Sequence, residues 1–409
     1  MARVAEIGGS AGAPSGHGRI VLVDVLRGFA LFGVYGANLM IFSGLELLPE
    51  SGSALFSSGA DRTVRFLEAF LVENKFMGLF SFLFGVSFWL FLGRVRGRGV
   101  PPTRLFYRRI GWLFVFGGVH GWLLWAFDIL RFYALWAVFL PFLARVRLRA
   151  LLALAFFLCV LAPAVVAGIR VAIHAGAGHD GGLDAATLQA FAHGTYLQTL
   201  AANWRFDWAL TLSIGQLGYQ LAMFGRLVLG LWVARALDLE RPGRHRALLV
   251  RVLVVGLLVG VPGNLVFALE AWSGAKPPWA VFLRKLLVEG GHLGFTLAFA
   301  AGLSLFFLRP RSRALLAHLA PPGQMALSVY LLQTVLGIWL FYGFPHGPQL
   351  MARVGPGWLG VLWLVGFVLQ VALAGAWMRR FRFGPMEWLW RTLTWGELQP
   401  LIREARPAA

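Results

Sequence analysis

Long apolar runs, each of about 20 residues, recur along this chain of 409 residues and constrain its fold more than any other feature. As an α-helix rising about 1.5 Å per residue, one such run crosses the roughly 30 Å hydrocarbon core of a bilayer. Because 58% of the residues are hydrophobic and only 13% are charged, the chain is too apolar for a soluble domain of this size. The runs do not alternate as the strands of a membrane barrel would. The sequence therefore predicts an all-α, polytopic integral membrane helical bundle.

Clusters of arginines between the apolar runs predict the topology. Arg309, Arg311 and Arg313, for example, follow one run directly. If the N-terminus is cytoplasmic, every such cluster falls on the inner side, which agrees with the positive-inside rule. We therefore expect about ten transmembrane helices, with both termini cytoplasmic, in the bacterial plasma (inner) membrane. The predicted spans are 20–43, 72–93, 110–127, 129–144, 150–174, 210–235, 249–272, 279–308, 323–343 and 357–378.

Three regions flank or interrupt the predicted transmembrane bundle, which covers residues 19–380. Residues 1–18 are small and polar, so we expect a disordered cytoplasmic tail. Residues 381–409 alternate tryptophans with charges, which is typical of an amphipathic tail lying along the cytoplasmic interface. The outer segment 175–209 either covers a vestibule or is a solvated loop with one interfacial helix. A second amphipathic piece is expected at Asp61–Phe70.

The first apolar run carries charges that need a physical reason. Asp24 and Arg27 stand three residues apart, so on a helix they lie on one face and can neutralise each other. Asn38 follows in the same run. Each central charge costs roughly 2.5–3.5 kcal/mol on insertion scales, so such groups usually face a cavity or a partner helix. The pair either locks helix packing or marks a functional interior.

Other polar residues also fall deep within predicted spans. His120 lies some twelve residues past Arg108, which is about 18 Å into the bilayer at the helical rise. Asp128 could orient this imidazole or simply pair with Arg131, and a lone histidine among apolar residues often serves only packing. Arg226 and His292 fall in the middle of their own spans, where an arginine needs a phosphate, a carboxylate or Asp24 as its partner; Glu289 stands one turn before His292.

Several classes of function are excluded by composition and motif. The net charge of +19 arises from the loop arginines, so we expect no nucleic-acid partner. Cys159 is the single cysteine and lies in an apolar run, which rules out a disulfide framework. The sequence contains no phosphate-cradling glycine loop, no nucleophile elbow and no histidine pair with metal-ligand spacing. We therefore predict no metal site.

Five stretches resemble the YeiB-like bacterial membrane proteins that carry the domain of unknown function 418. They are DVLRGFALFGVYGANLMIF, KFMGLFSFLFGVSF, RRIGWLFVFGGVHGWLLWAFDILRFYAL, GQMALSVYLLQT and FGPMEWLWRTLTWGEL. The opening motif is also similar to that of transmembrane acyltransferases of the heparan glucosaminide acetyltransferase type, which use cytoplasmic acyl-CoA. Asp24, Arg27 and Asn38 match that pattern, whereas the stretch after Asn38 lacks the histidine that those enzymes carry there.

This resemblance implies acyl transfer from a cytoplasmic acyl-CoA donor to a small-molecule, lipid or glycan acceptor. In this hypothesis His120 is the base, Asp128 orients it, and Asn38 or Arg226 stabilises the oxyanion. Donor binding is assigned to Asp24, Arg27, Arg226 and His292. We expect one connected interior cavity to be lined by Arg27, Asn38, His120, Asp128 and at least one of Arg226 and His292. The alternatives are a transporter or flippase of an anionic or amphipathic molecule, and a non-catalytic membrane partner. The expected partners are membrane lipids, the acyl donor, its acceptor and, in a homo-oligomer, a second copy of the chain.

Overall fold

The computed structural model describes residues 20–45, 48, 56–96, 99, 101–173, 185–273 and 281–403. The predicted tail over 1–18 lies outside them, as does the start of the outer segment and the end of the C-terminal tail. The described residues form helices and connecting turns, and their only β-type pairing is an isolated bridge between Phe381 and Ile402. The prediction of an all-α, polytopic membrane bundle is confirmed.

Eighteen α-helices lie within the described residues. Of two π-helical turns, His120–Leu124 ends the helix that begins at Pro102, and Phe157–Leu161 joins two α-helices into one longer helix. In chain order the α-helices are α1 (Val21–Phe42), α2 (Gly59–Leu71), α3 (Lys75–Val95), α4 (Pro102–Val119), α5 (Leu130–Ala137), α6 (Leu140–Leu143), α7 (Leu148–Phe156), α8 (Ala162–Ile173), α9 (Ala185–His193), α10 (Tyr196–Leu212), α11 (Ile214–Ala236), α12 (Arg246–Ser273), α13 (Val281–Phe307), α14 (Pro310–Leu316), α15 (Ala320–Gln324), α16 (Ala326–Phe341), α17 (Pro356–Arg380) and α18 (Pro385–Trp395).

Seven helical stretches within the described residues are long and apolar enough to cross a membrane, or eight if a pair bent by 76° counts as one span. That pair joins Pro310–Gln324 to Ala326–Phe341. The predicted spans 110–127 and 129–144 are not continuous helices of this length. The first passes from α4 into the π-helical turn, and the second breaks before Pro141, which has no N–H to continue the hydrogen-bond ladder of α5. Ten spans therefore remain a prediction.

Backbones approach closely where α3 crosses α11. A Cβ added to Gly85 would lie 1.9 Å from the Leu227 carbonyl oxygen, and one added to Gly230 would lie 1.9 Å from that of Phe82. Each glycine therefore faces the backbone of the other helix, and any side chain there would push the helices apart. Small residues at such crossings are the usual means of close packing in membranes. This crossing fixes α3, one wall of the cavity described below.

Three segments expected at the periphery pack onto the bundle. The described part of the outer segment forms α9 and α10, and α10 lies against the π-helical turn after α4. Asp61–Phe70 falls within α2. The C-terminal helix α18 contacts α4 and α16, and its Trp390 is buried with its indole N–H donating to the Arg109 carbonyl at 2.7 Å. Both α10 and α18 therefore contribute to the interior.

Candidate functional site

A cavity of about 430 Å³ lies between α1, α3, α4, α16 and α18. Its apolar walls are rich in aromatic rings, and its polar groups are dominated by arginines. Among its charged lining residues, Arg94 at the end of α3 is exposed. The aromatic lining residues are Phe80, Phe84, Phe88, Phe91, Phe106, Tyr133, Tyr330, Phe383 and Trp390, and the charged ones are Asp24, Arg27, Arg94, Arg109, Glu387 and Arg391.

The charges of this cavity do not balance among the described lining residues. Four guanidinium groups face two carboxylates, which leaves a formal surplus of two positive charges. Arg27 donates to Asp24 Oδ1 at 2.9 Å and to Ser87 Oγ at 2.5 Å, so the predicted Asp24–Arg27 pair is confirmed. Arg109 lies over the Trp390 ring with 3.5 Å between the guanidinium carbon and the ring centroid. The surplus suits an anionic ligand.

Glu387 on α18 ties the C-terminal helix to the start of α16. Its Oε1 accepts from the backbone N–H groups of Leu327 and Ser328 at 2.6 and 3.2 Å, and its Oε2 accepts from Ser328 Oγ at 2.5 Å. These are N–H groups that the first turn of a helix leaves without an internal partner. Burial raises the pKa of the Glu387 carboxyl, and the hydrogen bonds from Ser328 and Leu327 oppose that shift. Glu387 therefore caps the start of α16.

His120 is held at both ring nitrogens. Its Nδ1 lies 2.8 Å from Asp128 Oδ1 and its Nε2 lies 2.9 Å from Thr334 Oγ1, and its side chain is 1% exposed. Asp128 also accepts from the backbone N–H groups of Leu130 and Arg131, at 3.2 and 2.9 Å. An ionised carboxylate only accepts, so Nδ1 carries the proton and Nε2 is left as an acceptor for the threonine hydroxyl. This is the tautomer that a general base needs.

The π-helical turn after α4 positions His120, its first residue. The turn leaves the carbonyls of Trp122, Leu123 and Leu124 without helical partners, and side chains of α10 supply them. Trp204 Nε1, Tyr196 OH and Asn203 Nδ2 donate to these three carbonyls at 3.0, 3.0 and 3.1 Å, respectively. Single-turn π segments occur often at functional sites. Here the turn is stabilised by a helix that comes much later in the chain.

Arg131 links Asp207 on α10 to Asp128, the carboxylate beside His120. Its guanidinium binds both oxygens of Asp207 on α10, with Nη1 2.7 Å from Oδ2 and Nη2 in contact with Oδ1. Its Nε is 4.0 Å from Asp128 Oδ2, so both interpretations of Asp128 hold: it orients His120 and it also faces Arg131. The position of Asp207 within the aromatic WRFDW stretch was the only signal in the sequence for this pair.

Tyr330 separates His120 from the cavity. Its ring lines the cavity, and the centroids of the Tyr330 and His120 rings are 5.2 Å apart. Thr334 stands one turn further along α16 and is fully buried. Both residues belong to the GQMALSVYLLQT stretch noted above, although the sequence did not indicate their roles.

The site residues predicted from sequence do not line this cavity together. Asp24 and Arg27 do, whereas His120 and Asp128 lie behind Tyr330. Asn38 is also absent from the lining; it is 1% exposed, and neither polar atom of its side chain has a hydrogen-bond partner among the described residues. A buried amide without partners costs about 1–3 kcal/mol, so a ligand or water that binds it would be stabilising.

Arg226 and His292 belong to a second buried cluster. Neither lines the cavity described above, so the expectation of one shared cavity is wrong for these two residues. Glu289 on α13 lies 3.4 Å from Arg226 Nη2, 3.8 Å from His292 Nδ1 and 2.9 Å from Lys285 Nζ. Lys75, fully buried, lies 4.9 Å from the Phe267 ring centroid and donates to the Ala69 carbonyl. Because Glu289 supplies the counter-charge of Arg226, this arginine does not need an anion in the cavity.

The described residues contain no group of three or more His, Cys, Asp or Glu side chains arranged to hold a metal ion. Cys159 is buried as a free thiol, with its Sγ 3.9 Å from the Ala222 carbonyl oxygen. No solved structure matches the chain significantly.

Comparison with known proteins gives one consistent family. Residues 233–397 match the model described as "Protein of unknown function (DUF418)". A 39.9 kDa protein in the amylase 3' region of Bacillus acidopullulyticus is 31% identical, over 94% of this chain and 96% of its own. The uncharacterized proteins YxaH of Bacillus subtilis (strain 168) and YeiB of Escherichia coli (strain K12) are 28% and 27% identical, each over 95% of this chain and over 97% and 98% of their own. The chain therefore belongs to the YeiB-like DUF418 family of membrane proteins.

Proposed function

We propose that this protein is a membrane acyltransferase that moves an acyl group from acyl-CoA to a small-molecule, lipid or glycan acceptor. One observation carries the proposal: the His120 imidazole is held between a carboxylate and a hydroxyl, one aromatic ring away from a cationic cavity. A histidine fixed in one tautomer beside a hydroxyl is the arrangement of a general base in acyl transfer.

The cavity suits the donor. Four arginines with a surplus of positive charge favour a phosphate-bearing ligand, because guanidinium groups bind phosphate through paired hydrogen bonds. The aromatic walls suit an apolar acyl group. With about 430 Å³, the cavity lies near the lower end of the range for small-molecule sites, roughly 300–1,000 Å³. We therefore assign the lining arginines to the donor phosphates and the aromatic lining residues to the acyl end.

His120 and Asp128 supply the proton transfers. His120 Nε2 accepts the proton of the attacking hydroxyl or amine, and Asp128 stabilises the imidazolium that forms. Asn38 is the candidate for stabilising the oxyanion. It stands one turn before Phe42 on α1, and the Phe42 ring stacks on Trp125 with 4.1 Å between ring centroids. The Trp125 ring centroid is in turn 6.3 Å from that of His120. Arg226 does not fit this role, because it is bound to Glu289 in the other cluster.

The test is release of free CoA by the purified full-length protein. Acetyl-CoA or octanoyl-CoA is supplied with a mixed extract of membrane lipids and soluble metabolites as acceptors, and thiol release and acylated products are measured. His120→Gln should lower turnover by about 10²–10⁴-fold, and Asp128→Asn by less, because only orientation and charge support are weakened. His318→Gln, at an exposed histidine, is the matched control and should match the parent. A parent that releases no CoA with either donor refutes the proposal.

A second candidate, transport of an anionic or amphipathic small molecule, is favoured by the Glu289 cluster. Ionisable groups buried between transmembrane helices often mark an ion or proton pathway, and the acyl-transfer scheme does not use these. Transport predicts charge movement in proteoliposomes supplied with octanoate or glycerol 3-phosphate. That current should vanish in Glu289→Gln and persist in His120→Gln. A current that persists in Glu289→Gln and vanishes in His120→Gln, together with CoA release that depends on His120, supports acyl transfer.

A further inference from the structure

Thr334 has no chemical role of its own in the acyl-transfer scheme above, although its hydroxyl contacts the proposed base. Its Oγ1 lies 2.9 Å from His120 Nε2, within the 2.6–3.2 Å or so that separates an activated nucleophile from its base. On the other side of the ring, Asp128 Oδ1 lies 2.8 Å from Nδ1. Hydroxyl, imidazole and carboxylate thus form one continuous hydrogen-bonded chain. This is the order of groups that activates a hydroxyl for attack on an acyl carbon.

The ordinary role of a threonine in a helix does not account for this contact. Buried threonine hydroxyls usually donate to the carbonyl four residues earlier. For Thr334 that acceptor is the Tyr330 carbonyl, and the distance is 3.4 Å, longer than the 2.9 Å to the imidazole. By comparison, Thr394 donates to the Trp390 carbonyl at 2.6 Å and has the ordinary geometry. The Thr334 hydroxyl is turned toward His120.

Thr334 lies one helical turn from a residue that lines the cavity. It follows Tyr330, a cavity-lining residue, by one turn on the same face of α16, which corresponds to about 6 Å along the helix. Tyr330 is thus the lining residue through which a thioester in the cavity would approach Thr334. Thr334, His120 and Asp128 are all at most 3% exposed, so water has little access to an ester formed there.

We propose that Thr334 is the nucleophile of the reaction and that an acyl-threonine ester links its two halves; this inference rests on the acyltransferase function proposed above. Thr334 Oγ1 attacks the thioester carbonyl carbon as His120 Nε2 takes the hydroxyl proton. The C–O bond forms, the C–S bond breaks, and the imidazolium returns the proton to the thiolate, which leaves as free CoA. An acceptor hydroxyl or amine then attacks the ester, gives its proton to Nε2, and the Thr334 alkoxide leaves with that proton.

A covalent intermediate fits a site with a single base. Both half-reactions use the same imidazole, and the donor can leave before the acceptor arrives, so the cavity never has to hold both substrates. Dry surroundings protect the ester in the interval. The kinetic consequence is ping-pong behaviour with a burst of CoA equal to the number of active sites.

The experiment traps the ester on the full-length protein in detergent. The parent is incubated without acceptor with acetyl-CoA or octanoyl-CoA labelled in the acyl carbonyl, quenched in acid, and examined for protein-bound label and by peptide mass spectrometry. We expect one acyl group on the peptide that contains Thr334, stable to neutral hydroxylamine as an oxygen ester is. A thioester on Cys159 or an acyl-imidazole on His120 would be cleaved by that treatment.

Matched variants separate this inference from the function on which it rests. Thr334→Val keeps the shape and removes the hydroxyl, so it should lose the label and more than about 100-fold of turnover. Thr334→Ser should keep the label, and Thr394→Val, the same change at a threonine of ordinary geometry, should match the parent. If Thr334→Val fails to fold, the Thr334→Ser variant decides the question by whether its substituted hydroxyl carries the label.

The outcomes that contradict the inference are equally distinct. If Thr334→Val turns over at the parental rate, Thr334 is not the nucleophile, and the proposed acyltransferase function is unaffected. If the parent turns over but carries the label on Cys159, on His120 or on no residue, the acyl-threonine intermediate is likewise excluded and the acyltransferase function is not. A parent that releases no CoA from either donor overturns both.

Discussion

The pair Arg131–Asp207 should be far more costly to break than an ion pair at the surface. Its side chains are each 7% exposed, whereas those of the pair Arg244–Asp238 are 61% and 39% exposed. Removing one partner of a buried pair leaves an uncompensated charge and typically costs about 3–5 kcal/mol, but an exposed pair contributes about 0–1 kcal/mol. Asp207→Asn keeps one acceptor oxygen and leaves Arg131 with the Asp128 carboxylate 4.0 Å away. We therefore expect a loss near the lower limit, about 3 kcal/mol.

The measurement is unfolding of the parent, Asp207→Asn and Asp238→Asn in the same detergent, followed by tryptophan fluorescence during heating and during titration with a denaturing detergent. A loss of about 3 kcal/mol changes the folded-to-unfolded ratio by more than 100-fold, which either assay resolves. Asp238→Asn should stay within about 1 kcal/mol of the parent. Equal losses for the two variants would show that the Arg131–Asp207 contact does not fix α10 on the bundle.

Three further predictions follow from packing, titration and topology. Gly85→Ala should destabilise the protein by about 1–3 kcal/mol through overpacking against α11, whereas Gly111→Ala, with open space around the new methyl group, should be neutral or stabilising in thermal melts. Burial raises the pKa of Glu387, so between the ordinary glutamate pKa and this raised pKa the folded protein keeps a proton that the unfolded chain has lost. The free energy of unfolding should therefore fall as the pH rises through that interval, and Glu387→Gln should reduce this dependence on pH. In a cysteine-free background, single cysteines at Gly97 and Gly182 should react with an impermeant maleimide from opposite sides, and reaction from the same side would contradict the predicted topology.

Local patterns predicted local structure well. Asp24 and Arg27 are three residues apart on one helix, so their pairing follows from helical geometry alone. The contact between His120 and Asp128 spans eight residues and was among the predicted possibilities. By contrast, the predicted span 129–144 failed as a single helix because hydropathy alone does not register the missing N–H of Pro141.

Distant contacts were beyond the reach of the sequence. Thr334 meets His120 across 214 residues, and Glu289 meets Arg226 across 63. No periodicity encodes such pairings, because they depend on how helices are ordered around the bundle. The sequence therefore indicated which residues were costly to bury but not which of them share a cluster, and it grouped Arg226 and His292 with a cavity that they do not line.

The π-helical turn after His120 has a consequence for how the protein is made. Its carbonyls take their hydrogen bonds from Tyr196, Asn203 and Trp204, which lie between 73 and 82 residues later in the chain. While the first helices are being inserted, the carbonyls of that segment have no such donors. Contacts between residues far apart in the chain form late in folding. The geometry around His120 is therefore assembled only after α10 has been synthesised and docked. A chain truncated before α10 would insert its first helices and still lack the site, however complete those helices are.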